Sequence, residues 1–341
     1  MMVAIGRFCR APKHDYRVME LLPRGANFRR AKILWELGLH IAGNPLTPYG
    51  GNRDMCITVG SGSGERFRPS LRLATGSAIL AHDVVAGNVE MAFVNPSAML
   101  TQAYRGVGLF SEKLPVRIIA SYPSDDQFVI AVRKDLGYGS FADVKAAKAP
   151  LRISIREDPT HSTLVLIEQL LSFYGMELAD FEAWGGSIQL VSGPGDKRRL
   201  DAVAGGTIDL VFDEGISAWL DAALDADFVP LDLDSEAFAH LASFGWRKRI
   251  VTTERFPQLK RGYDCIDFSG WPIYASAALP DDIAYDVCGA FFARQGEMPW
   301  EERTFTGLEM VFEETYATPR DVPLHPGAER WYEEHAAELH H

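Results

Sequence analysis

The chain has 341 residues, 46 acidic against 34 basic, with a formal net charge of −12 and a pI of about 5.3. That acidity excludes nucleic acid as the main partner, because a phosphate backbone selects a basic surface. With 47% hydrophobic and 23% charged residues, the composition is that of a globular chain able to bury its own core, and the length suits two domains.

The N-terminus reads MMVAIGRFCRAPKHDY. Its apolar run from Met2 is broken at once by Gly6, Arg7 and Arg10, too short for a secretory core of about 7–15 residues. No run of about 18 apolar residues follows it. The chain as written is therefore expected in the cytoplasm, or in the periplasm if its start lies elsewhere. Cys9, Cys56, Cys265 and Cys288 form no CxxC pair and no metal-ligand spacing. The last three are read as small buried hydrophobes, and Cys9 as part of a loose terminus.

Segment 16–22 reads as a first strand. Segment 27–41 is a helix with Ile33, Leu34, Leu37 and Ile41 on one face, ended by Gly43-Asn44-Pro45. A Pro- and Gly-rich loop leads to a strand at 55–59 and a GSGSG turn at 60–64. A strand at 71–74, a helix over 78–86 and a buried strand at 89–94 follow. Further strands are expected at 116–120, 128–132 and 152–155. Ser140 is placed to cap a helix. A helix over 163–174 carries Leu164, Ile167, Leu171 and Tyr174 on one stripe. Strands at 188–191, 208–212 and 228–231 and helices at 282–294 and 327–337 complete the set. The unit strand, polar loop, helix, strand recurs over about 16–120 and 150–230. This predicts an α/β fold of two similar lobes, with crossovers near 121–150 and 230–275.

Four segments carry a resemblance. ATGSAILAHDVVAGNVEMAFVNP, from Ala74 to Pro96, is similar to a segment of the TAXI-type solute receptors of TRAP transporters. PLHPGAERWY, from Pro323 to Tyr332, resembles that family's C-terminal signature. SFADV at 140–144 and GGTIDLVF at 205–212 match in order between them. The resemblance covers roughly 16–335. It implies a two-lobed type II periplasmic-binding-protein-like fold with a ligand cleft between the lobes. Lobe 1 spans 13–122, completed by about 240–335, and lobe 2 spans 123–239. It also implies a small organic anion as ligand, a TRAP membrane permease as partner if the chain is exported, no cofactor, and a monomer or dimer. One departure stands out. The family's glycine-rich first loop is missing, so the first ligand loop is placed at 24–28 and 46–65 is read as an insertion.

Candidate ligand-binding residues follow from these placements. In the first loop they are Arg24 and Asn27. Thr75, Gly76 and Ser77 precede a helix, where free N–H groups and a hydroxyl suit a carboxylate, although the same residues make an ordinary cap. Asn95 and Ser97 follow a buried strand at its carboxyl end, where α/β sheets gather ligands. Arg156 offers a planar fork to a carboxylate. Thr160, His161 and Ser162 open a helix, with His161 read first as its cap. Asp213, beside Glu214, suits an amino group or a hydroxyl. Trp271 is either an aromatic wall or core packing. No P-loop, HExxH, GxGxxG or GxSxG is present, and GSGSG lacks the Lys-Ser/Thr ending of a phosphate loop. No catalytic residue is therefore assigned. The competing reading is a cytosolic enzyme on the same scaffold, such as a decarboxylase of an aromatic or oxo acid, using His161, Asp158, Asp213 and Glu214. A cytoplasmic sensor is the third. His325, inside the C-terminal signature, is read as structural.

Overall fold

Short β-branched and aromatic runs alternate with capped helices along the chain, and this alternation sets the architecture. The computed structural model describes residues 55–59, 71–75, 78–298, 300–301 and 303–339. The expected strand at 16–22, the helix at 27–41 and the turn at 60–64 lie outside them. In chain order the elements begin β1 (Met55–Val59), β2 (Leu71–Thr75), α1 (Leu80–Val85), β3 (Met91–Phe93), α2 (Ser97–Arg105), β4 (Val116–Tyr122) and β5 (Gln127–Arg133). Then come α3 (Phe141–Ala147), β6 (Arg152–Arg156), α4 (Ser162–Phe173), α5 (Leu178–Ala183), β7 (Ser187–Val191), α6 (Lys197–Ala204) and β8 (Leu210–Asp213). The chain ends with α7 (Leu220–Asp225), β9 (Phe228–Pro230), α8 (Ser235–Ser243), β10 (Lys248–Val251), β11 (Tyr263–Asp267), β12 (Trp271–Ser276), α9 (Asp281–Arg294) and α10 (Pro326–Leu339).

The chain divides into two compact α/β units. Each unit is a β-sheet flanked by helices, the α/β class expected from the sequence. Unit 1 takes the described residues up to Gly106, then Glu112–Ser124, then those from Gly270 onward. Its sheet has the order β1-β2-β3-β12-β4, with β2 and β3 parallel and β12 antiparallel to both β3 and β4. Helices α9 and α10 cover this sheet through Ala284, Cys288, Ala328 and Trp331, packed on Met91, Ile119, Ile273 and Ala275. Ala284 and Cys288 are four residues apart, so they share the helix face turned to the sheet, and their small size allows close approach. Gly327, in the C-terminal signature, starts α10 so close to α9 that a Cβ there would lie 1.9 Å from the Asp281 carbonyl oxygen.

Unit 2 holds Val107–Ser111 and Asp125–Ser269. Its sheet runs β10-β11-β5-β8-β6-β7, with β9 also paired to β5. The parallel strands β6 and β8 are buried almost end to end, which is why they read as continuous apolar runs. Ser140 caps α3 in a full capping box with Asp143, as expected. The expected return to lobe 1 at about 240 is corrected to Gly270, because the β10–β11 hairpin continues the second sheet. Ile266 of β11 pairs with Phe128 of β5. Cys265 and Cys288 are buried and free. Among the described residues no helix is long and apolar enough to cross a membrane.

Candidate functional site

Strand direction fixes what meets at one end of the first sheet. Thr75 pairs with Phe93 across parallel strands. Strand β12 starts there in the opposite sense, so Trp271 pairs with Tyr122 at the end of β4, and the Val94 N–H donates to the Pro272 carbonyl at 3.3 Å. Thr75, Asn95, Trp271 and Tyr122 therefore share the carboxyl edge of the first sheet. Asn95 is exposed and Ser97 half-buried at the first residue of α2. Pro96, the N-cap of α2, is extended and gives no side-chain cap, and the first turn has no acidic residue.

The aromatic groups at this edge are stacked in series. Trp271 lies on Tyr122 with ring centroids 5.0 Å apart and planes 21° apart. Tyr122 stacks on Trp300 at 5.4 Å and 19°, and Trp300 on Phe305 at 4.2 Å and 4°. Trp271 is half-buried, so it is neither pure core nor free surface. Burial, then the charge of Glu301, pushes the Tyr122 phenol up to about 12, so it stays neutral at ordinary pH. Glu301 is held by the Ser124 hydroxyl at 3.0 Å and the Thr304 hydroxyl at 3.2 Å.

Unit 2 builds a different site at the carboxyl ends of β6 and β8. Arg156 is only 6% exposed. Its Nε donates to Asp213 Oδ1 at 2.9 Å, its Nη1 to the Ser192 carbonyl at 3.0 Å, and its Nη2 to Glu214 Oε1. Arg199, on α6 and fully buried, donates from Nε to Ser154 Oγ at 3.0 Å and from Nη1 to Asp213 Oδ2. His161 caps α4 by accepting the Thr163 N–H on Nδ1 at 3.0 Å. That leaves the proton on Nε2, 3.6 Å from Glu214 Oε1. Asp126 accepts the Gly215 N–H at 3.0 Å and lies beside Glu214. Burial, then the charge of Glu214, holds the Asp126 carboxyl well above its ordinary range. Burial raises Glu214 too, against the pull of Arg156.

The structure brings Arg156, His161 and Asp213 together with Glu214. It leaves Thr160 exposed on Asp158, whose Oδ1 accepts its hydroxyl at 2.8 Å, and buries Ser162 at the start of α4. The Arg156 fork, expected to face a ligand, is occupied by Asp213, Glu214 and the Ser192 carbonyl. Arg24, Asn27, Gly76, Ser77 and the Thr75 side chain lie outside the described residues. Sequence reasoning missed Asp126, which sits in an expected crossover. It also missed Arg199, hidden in the basic run Lys197-Arg198-Arg199, where the one signal was its four-residue spacing to the buried Val203.

Among solved structures, the chain is similar to the glycine betaine/L-proline-binding protein of an ABC transporter from Borrelia burgdorferi. That match has 13% identity, 66% of this chain, 68% of that one and a TM-score of 0.35. It is similar to lactococcal OpuAC complexed with glycine betaine at 10% identity, covering 77% and 83%, with a TM-score of 0.36. MatC from Rhodopseudomonas palustris with bound malate matches at 14% identity over 63% and 67%, with a TM-score of 0.31. The sequence model of the NMT1-like family matches residues 55–335. That match runs through both units and through every described residue of the two sites, and the chain belongs to the NMT1-like family.

Proposed function

We propose that this protein binds a small organic acid at the carboxyl edge of its first sheet, as a solute receptor does. One observation carries the reading. Every other described α-helix has a side-chain cap or a carboxylate in its first turn: Asp83 in α1, Ser140 at α3, His161 at α4, Asp180 in α5, Asp196 at α6, Asp221 in α7, Glu236 in α8, Asp281 in α9 and Glu329 in α10. Helix α2 has neither, and its N-terminus opens at the sheet edge where Asn95 and Trp271 lie. A helix N-terminus carries about half a positive charge and free N–H groups. With no internal anion supplied, a ligand carboxylate completes it. The unit 2 cluster offers no comparable opening among the described residues, since Arg156 and Arg199 already meet carboxylates. The TAXI-type resemblance of 74–96 and 323–332 supports the same reading and adds a partner, a membrane permease of the TRAP class.

The test uses a variant that separates binding from folding. Ser97→Asp puts a carboxylate in the first turn of α2. It should hold or raise the melting temperature, because the helix dipole favours it by about 0.3–1 kcal/mol, while abolishing stabilisation of the protein by small carboxylates. Binding to the native state raises stability by RT ln(1 + [L]/Kd), so a thermal-shift series reads both effects. Equal carboxylate stabilisation of parent and variant refutes the site. Stabilisation of the parent by neutral sugars or cations alone refutes the ligand class.

A further inference from the structure

No further inference is drawn: the strongest candidate, the cleft of unit 2 lined by the end of α4 and the start of α5, offers the carboxylates of Glu168, Glu177 and Asp180 but rests on that acidic cluster alone, with Glu177 and Asp180 already joined in the capping box of α5 and no second feature among the described residues that points to a ligand.

Discussion

Replacing Arg199 by methionine removes a wholly buried cation from the cluster under β6 and β8. The side chain has 0% exposure and serves Asp213 Oδ2, Ser154 Oγ and the Pro194 carbonyl. Burial and Glu214 hold the Asp126 carboxyl well above its ordinary range, so the two arginines face Asp213 and Glu214 as their carboxylate partners. Arg199→Met leaves one buried negative charge in excess. Breaking such a pair costs about 3–5 kcal/mol. Part is recovered, because Arg199 Nη2 is buried with no hydrogen-bond partner, and removing an unsatisfied buried donor returns about 1–3 kcal/mol. The net loss should be roughly 2 kcal/mol. Asp213→Asn should destabilise in the opposite charge sense. The double variant restores the balance, so its loss should fall short of the sum by about 1 kcal/mol or more. Hydrogen exchange of the β6 and β8 peptides, read by mass spectrometry, reports this locally and avoids assuming two-state unfolding in a two-unit chain. Raising the salt should leave the coupling unchanged, since a buried pair is little screened, unlike the exposed Lys197–Asp201 pair. A single-variant effect within 0.5 kcal/mol of zero, or strict additivity, would refute the charge argument.

The raised Asp126 carboxyl means that the folded state keeps a proton the unfolded state releases. The stability this contributes is complete below the unfolded value of about 4 and is lost as pH rises through the raised folded value. Asp126→Asn carries no titrating proton there, so its urea midpoint should fall less than the parent's between pH 5 and 8. His325 shows the opposite window. Burial lowers its folded value, so its contribution is present above about 6.5 and is lost as pH falls. Its Nδ1 accepts the Gly327 N–H at 3.3 Å, so His325→Asn should keep the cap and flatten the acid side of the melting profile. Gly327→Ala forces a Cβ to 1.9 Å from the Asp281 carbonyl oxygen and should cost at least about 2 kcal/mol in melting experiments. An unchanged melting temperature would mean α9 and α10 separate freely.

The strands most legible in the sequence are those buried on both faces. RISIR at β6 and the run into β8 read as strands because no solvated face interrupts them. The β10–β11 hairpin was illegible for the reverse reason: β10 is mostly exposed or half-exposed, so no alternation marks it. Helix α2 was hidden by its own burial. Thr101 and Gln102 lie inside among Ala98, Met99, Leu100 and Ala103, which blurs any polar face, and Asn95-Pro96-Ser97 reads as a turn. At the site, placement at strand ends was legible, whereas the state of each side chain was not. Spacing locates Arg156 correctly but does not say that three acceptors already hold it.

One feature of that cluster is nevertheless written in the chain. Strands β6 and β8 are parallel, with Ile153 level with Leu210 and Ser154 level with Val211. The same register carried one residue back and two residues on matches Arg152 with Asp209 and Arg156 with Asp213. The two segments are RISIR and DLVFD, so a cation at each end of one strand meets a carboxylate at each end of the other. Both pairs form: Arg152 Nε to Asp209 Oδ2 at 2.7 Å and Arg156 Nε to Asp213 Oδ1 at 2.9 Å. A slip of one residue would unpair both and turn every apolar residue of β6 to its other face. The outer pair is half-exposed at Arg152 and adds little stability. The inner pair is buried, and its breakage leaves a charge with no water to take it. Arg156 is therefore selected by the register of its own sheet, and the anion proposed for this protein finds its unopposed positive end at α2.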